Sequence, residues 1–241
     1  MVESTKGIVI HYTRYTDSSS IVNLITEERG RQAYLVRGIN KGNKGNRSVL
    51  FQPLTILSME ASYHHGREVN NMKSCALSYI PSSIPYNIAK STTAIFLAEV
   101  LNISIREEMA DVEMFRFIHD SIIAFDTMAG NASLFHITFL AQLTPFLGFG
   151  PTLPDHQNPV LFDLGNGVFC DLPPASGLYM NHEQTEIFKT LISSSPAQAG
   201  KLELTASQRR EMLQQIIMYF SLHIPGFKNL KSLKVLNEVF G

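Results

Sequence analysis

Cysteine is nearly missing from this 241-residue chain: only Cys75 and Cys170 occur, far apart in the sequence. Two thiols at that separation form neither a disulfide framework nor a cysteine-only zinc site. Long apolar runs are missing as well. The two most apolar stretches, 94–105 and 134–149, are interrupted by Glu99 and Asn102 and by His136 and Gln142, so neither reads as a membrane span. The opening Met1-Val2-Glu3-Ser4-Thr5-Lys6 has no apolar core of a signal peptide. These absences point to a reducing cytoplasm and to no membrane partner. Catalytic spacing is missing too. No Ser-His-Asp arrangement, HExxH helix, paired-carboxylate pocket or glycine loop ending in Lys-Ser or Lys-Thr stands out. The expectation is a protein that is not an enzyme and holds no cofactor or metal.

The most telling absence is local. Between Arg29 and Met59 there is no acidic residue, while Arg29, Arg31, Arg37, Lys41, Lys44 and Arg47 fall there among Gly38, Asn40, Gly42, Asn43, Gly45 and Asn46. The formal net charge is −1, so this positive charge is concentrated: residues 1–80 carry ten Lys/Arg against six Asp/Glu, and residues 81–241 carry ten against fifteen. Such asymmetry suggests an anion-binding end and a separate partner-binding end. Glycines let a backbone approach its ligand closely, and Lys and Arg neutralise phosphates and release counterions. The basic stretch is therefore the predicted nucleic-acid site. Tyr34 and Phe51 flank its loop and are candidates to stack on bases. Both also suit a core, and for Phe51 the core reading is favoured.

Residues 4–80 read as short strands: 7–12, 21–26, 31–37, 51–59 and 69–79, with a turn at Asp17-Ser18-Ser19-Ser20 and a tight connection at Glu27-Glu28-Arg29-Gly30. Five strands without an intervening helical pattern imply a small barrel, and the OB-fold is the five-stranded barrel that binds oligonucleotides. His64-His65 lies in a predicted hairpin turn; adjacent histidines face opposite sides of a strand and do not easily chelate one metal. Two prolines and two serines punctuate Ile80-Pro81-Ser82-Ser83-Ile84-Pro85, and helical spacing follows. Val112, Phe115, Ile118, Ile122 and Phe125 form an amphipathic stripe. Further helices are predicted near 132–147, 181–194, 207–223 and 229–240, with Pro145 kinking or ending the first of them. Residues 152–174, rich in Pro, Gly and Asp, read as an irregular insertion. The predicted class is multidomain α+β: an OB-fold at 1–80 and a mainly helical domain at 81–241.

Taken in order, several segments resemble the bacterial recombination mediator RecO family. They are Lys6-Gly7-Ile8-Val9-Ile10, Asp17 and Ser20 ahead of the segment 21–30, Tyr34-Leu35-Val36-Arg37-Gly38, and Leu50-Phe51-Gln52-Pro53. Further on come Phe146-Leu147-Gly148-Phe149-Gly150-Pro151, the glycine pair of 162–170 ahead of Cys170, and the segment 226–233. The resemblance covers nearly the whole chain. It implies a non-enzymatic DNA repair and recombination mediator that binds single- and double-stranded DNA and anneals complementary strands. With RecR, such a protein loads RecA onto strands coated by single-strand binding protein, and it works at the nucleoid.

One departure from the family stands in 152–174. Several members carry a four-cysteine, zinc-finger-like site there; this chain keeps Cys170 alone, with Asp155 and His156 near where an earlier pair would fall. Four good ligands are wanting, so packing around Gly165 and Gly167 is the expectation, and no metal. The resemblance also implies that the helical domain captures the acidic, aromatic tail of single-strand binding protein. Lys228 and Lys231 are candidate partners for its carboxylates, with Arg209 and Arg210 as the other pair. An alternative function is a protein-interaction adaptor whose basic loop docks an acidic partner and never touches DNA. A nuclease is a third reading; it requires clustered carboxylates, which the basic stretch lacks.

Overall fold

The computed structural model describes residues 2–38, 47–63, 67–106, 109–129, 132–153, 161–194 and 202–240. Five strands open the chain: β1 (Val2–Arg14), β2 (Ser19–Thr26), β3 (Gly30–Arg37), β4 (Ile56–Ser62) and β5 (Val69–Leu77). They close into a barrel in the order β1-β2-β3-β5-β4. Only the β3–β5 pairing is parallel; β1 is antiparallel to both β2 and β4, which shuts the cylinder. This is the strand order of an OB-fold, as the sequence predicts. Strand β1 serves two neighbours because it is long and bends at a bulge between Val9 and His11. Alternate residues fill the interior: Val9, Val22, Leu24, Tyr34, Val36, Leu57, Met59 and Ala61 pack with Phe51 into one cluster.

The fourth strand begins later than the sequence suggests. Arg47–Phe51 is a short 3-10 helix, and Leu54 takes a left-handed backbone (φ 62°) before β4 starts at Ile56. The Leu54 N–H donates to the Val9 carbonyl and the Val9 N–H to the Thr55 carbonyl, so the bend feeds β4 into register with β1.

Contacts divide the chain into two compact units, Met1–Thr127 and Met128–Gly241. The first holds the barrel and two helices, α1 (Ile88–Ser104) and α2 (Val112–Thr127). Asn87 caps α1, accepting from the N–H groups of Ala89 and Lys90. The connection from barrel to α1 is clamped by buried Asp126. Its carboxylate accepts from the N–H groups of Ser82, Ser83 and Ile84 and from the hydroxyls of Tyr79 and Ser82. Burial alone would raise this carboxyl's pKa, but those donors outweigh it and hold the group well below the usual carboxylate range.

The second unit holds α3 (Phe135–Leu143), β6 (Leu161–Asp163), β7 (Val168–Cys170), β8 (Tyr179–Met180), α4 (His182–Ser193), α5 (Ala206–His223) and α6 (Lys231–Phe240). Capping boxes at Asn181/Gln184 and Thr205/Gln208 start α4 and α5. Within the predicted irregular insertion β6 and β7 form an antiparallel hairpin, and β8, beyond it in sequence, pairs with the other edge of β6. The hairpin turns at Asp163, whose carboxylate accepts from Gly165 N–H, Asn166 N–H and the Asn166 amide. Gly167 takes φ 68° to complete it. After α3, Gly150 passes so close to Pro145 that an added Cβ would lie 2.6 Å from the Pro145 Cα, which only glycine permits.

Candidate nucleic-acid interface

One rim of the barrel gathers exposed cations. Strand β1 ends there at Arg14, β2 begins at Ser19 and β3 ends at Arg37. Arg14 pairs with Ser20 and Arg37 with Ser19, so the two arginines flank β2 at the same end of the cylinder. Both are exposed. Between them the 15–18 turn projects Tyr15, 66% exposed. The turn is bound to its own backbone: Tyr15 N–H and Thr16 N–H both donate to the Ser19 carbonyl, at 3.1 and 3.0 Å. The described residues on either side of the predicted basic loop are held to the barrel. At its start Gly38, with φ 77°, donates its N–H to the Ser18 carbonyl at 2.7 Å. At its end Phe51 stacks on Tyr12 of β1, ring centroids 6.4 Å apart and 15° from parallel. Lys41 and Lys44 lie outside the described residues, as does the side chain of Arg47.

The contiguous run of basic residues is not one patch in space. Arg29 and Arg31 sit at the other end of β3 from Arg37, and six residues of strand separate Arg31 from Arg37 by about 20 Å. The Arg29 guanidinium makes a two-pronged pair with Glu3, Nη2–Oε1 2.6 Å and Nε–Oε2 2.8 Å, and lies 4.1 Å over the Tyr63 ring. That hydrogen-bonded pair lowers the pKa of Glu3 and raises that of Arg29. Arg31 turns away from solvent and donates to the carbonyls of Asn102 and Ile105 and to the Asn102 side chain, at 2.8, 2.6 and 3.0 Å. It thereby caps the C-terminus of α1, where a cation complements the helix dipole. Tyr34 is 0% exposed, and its hydroxyl is 2.6 Å from that of Tyr63. Burial pushes its phenol pKa far up. Arg29 and Arg31 are thus engaged in holding the fold, and Tyr34 is core. Phe51 is core as favoured, 4% exposed.

Arg14 and Tyr15 of this rim are not among the residues predicted from the sequence, where they show only as an aromatic beside an arginine in the first strand connection.

In the second unit a small cleft forms between α5, α6 and the start of α3. Arg209, Arg210, Leu213, Leu236, Phe240 and His136 are among its walls. Arg209 donates to the Leu204 carbonyl at 2.6 Å, and Arg210 is exposed. His136 is buried against Phe240, and burial, with Arg209 nearby, pushes its pKa down to about 3. Lys228 and Lys231 are exposed at the approach to α6, outside the cleft's lining. Of the four predicted tail contacts, Arg209 and Arg210 line this cleft.

A larger cavity of about 280 Å³ in the first unit is lined by Leu54, Ile56, Ile84, Ala94, Ile95 and Ile122, among others, and among the described residues by no charged side chain. Among the described residues no group of three His, Cys, Asp or Glu side chains is placed to hold a metal ion. Asp155, His156, His64 and His65 lie outside the described residues. Cys170 is half-buried on β7, and desolvation, with Asp163 nearby, raises its pKa. Among the described residues no helix is long and apolar enough to cross a membrane.

Two family models, described as the N-terminal and C-terminal parts of Recombination protein O, match residues 1–80 and 85–234. The chain belongs to the recombination protein O family. It is 36% identical over 242 residues to the DNA repair protein RecO of Bacteroides fragilis strain YCH46, with 100% of both chains covered. The DNA repair protein RecO of Azobacteroides pseudotrichonymphae is 32% identical over 241 residues, again with 100% of both covered. That of Flavobacterium psychrophilum is 34% identical over 237 residues, covering 98% of each. Membership in this family supports a role in DNA repair. The family's first segment ends where the Asp126 clamp begins, so the barrel with its charged rim is the family's N-terminal part.

Proposed function

We propose that this chain is a DNA repair and recombination mediator, not an enzyme, whose barrel rim binds the phosphate backbone of single- and double-stranded DNA. It anneals complementary strands and acts with RecR to load RecA onto strands coated by single-strand binding protein, at the nucleoid in the cytoplasm. One observation carries the reading: in a protein of a DNA repair family, exposed Arg14 and Arg37 stand on either side of β2 at one OB-fold rim, and Arg37 lies next in sequence to the Gly/Asn/Lys segment. Annealing needs a surface that screens the repulsion between two polyanions without gripping either. Cations on a glycine-rich connection meet that need better than a rigid, deep groove.

Arg37, Lys41, Lys44 and Arg47 remain the proposed phosphate contacts, joined by Arg14, while Arg29 and Arg31 leave the set. The test is binding of oligonucleotides, with no other protein present, across a range of salt. Neutralising about four phosphates gives a log–log slope near −3 to −4. Replacing Arg37, Lys41, Lys44 and Arg47 together by alanine should weaken binding and flatten that slope. Salt-insensitive binding, or no loss in the fourfold variant, would overturn the site. Binding only to an acidic protein and not to oligonucleotides would favour the adaptor reading.

For the acidic, aromatic tail of single-strand binding protein, the cleft of the second unit is the proposed seat. Arg209 and Arg210 offer charge to carboxylates beside apolar walls from Leu213, Leu236 and Phe240.

A further inference from the structure

We infer that Tyr15 is a base-stacking platform for single-stranded DNA, set at the rim between two phosphate-contacting arginines. The inference rests on the proposed DNA reading and deepens it by naming what the rim recognises besides phosphate.

An exposed aromatic is not by itself a site, because single apolar side chains dot every protein surface. Tyr86 is more exposed still, at 83%, but its chain neighbours are Pro85 and Asn87, with no arginine or lysine next to it. Three observations set Tyr15 apart. First, it occupies the β1–β2 connection, one of the loops through which OB-folds take up oligonucleotides. Second, the connection is preorganised without using the ring. Besides the two bonds to the Ser19 carbonyl, the Thr16 and Ser19 hydroxyls lie 2.6 Å apart and the Ser18 N–H donates to Thr16 Oγ1 at 3.3 Å. The ring thus stays outside while its backbone is held, so little conformational freedom is lost on binding. Third, Arg14 precedes it and Arg37 stands across β2, with Gly38 bonded to the Tyr15 turn through Ser18. A strand whose phosphates meet those arginines brings its bases to the ring.

Every base has a π-face, so stacking here is tolerant of sequence but demands an unpaired base. A duplex hides its faces and can use the rim through phosphate alone. Tyr15 therefore separates single strand from duplex on a surface whose cations do not.

The chain contains no tryptophan, so Tyr15→Trp gives a single reporter at the site. Its fluorescence should be quenched by oligodeoxythymidylate and not by an abasic strand of equal length carrying the same phosphates. Tyr15→Ala should weaken binding of oligodeoxythymidylate about 5- to 150-fold, in line with about 1–3 kcal/mol per stacked base. The salt slope should not change, because no charge is removed, and duplex binding should stay within about twofold. Tyr15→Phe should bind as the wild type does. Strand binding with the full salt slope but indifferent to Tyr15→Ala, or equal quenching by the abasic strand, overturns the platform and leaves the phosphate reading standing. Failure of the wild type to bind any strand at low salt overturns both.

Discussion

Asp17 is the one acid in the turn that carries Tyr15, and it sits 3.1 Å from the Arg14 guanidinium with both side chains largely in solvent. Such an exposed pair contributes little to the fold. Its greater effect is on binding, since a phosphate must displace Asp17 from Arg14. Asp17→Asn should leave the unfolding midpoint unchanged, tighten single-strand binding, and steepen the log–log salt slope by up to about 0.7, one more phosphate neutralised. Fluorescence anisotropy at several salt concentrations measures both. At this scale sequence and structure part most clearly. Six basic residues read as a cluster because they are close along the chain, but β3 is extended and carries its ends about 20 Å apart. Arg29 and Arg31 look like Arg37 in composition. What distinguishes them is a remote partner, Glu3 for one and the end of α1 for the other, which no local pattern announces.

Elements whose signal is local were legible. The stripe at Val112, Phe115, Ile118, Ile122 and Phe125 is helix α2, and the predicted helix 181–194 is α4 with a capping box at its start. Helix α1 was not singled out, because it has no polar face to give it a period. Lys90, Thr92 and Thr93 are as buried as Phe96 and Leu97. Lys90 is accommodated by donating to Ser83 Oγ and to the Asp126 carbonyl. The cap of α1 by Arg31 makes a prediction at the scale of elements. Arg31→Ala leaves the Asn102 and Ile105 carbonyls without that donor and should cost about 1–3 kcal/mol in denaturant unfolding. Oligonucleotide affinity at the opposite rim should be nearly unaffected in the folded variant. A large loss of DNA affinity without a loss of stability would return Arg31 to the binding set.

For the whole molecule, acid is the informative stress. His136 has a folded pKa near 3, below its ordinary 6.5, so between those values the unfolded chain binds the proton and the folded one does not. Its contribution is fully present above about pH 6.5 and is lost as pH falls toward 3. Asp126 has the same sign lower down: its stabilising contribution is present above the ordinary carboxyl value of 3.8 and is lost as pH drops further. Thermal unfolding of the wild type should therefore begin to shift downward below pH 6.5. His136→Gln, which does not titrate, should remove most of that dependence between pH 6.5 and 4 while leaving the fall at lower pH. An unchanged pH profile in this variant would show that the fold does not shift the titration of this imidazole.

The sequence alone determined the barrel, most of the helices and the family, because strand alternation, helical spacing and turn residues act over a few neighbours and leave their period in the chain. Tertiary structure decided which of the like-charged side chains meet solvent. That choice depends on the closure of β1 onto β4 and on the approach of α1 to the barrel, which bring Glu3, Tyr63 and the α1 carbonyls to some arginines and not to others. The same closure buried Tyr34 and left Tyr15 outside. Chemically alike residues diverge when burial and partners come from distant parts of the chain.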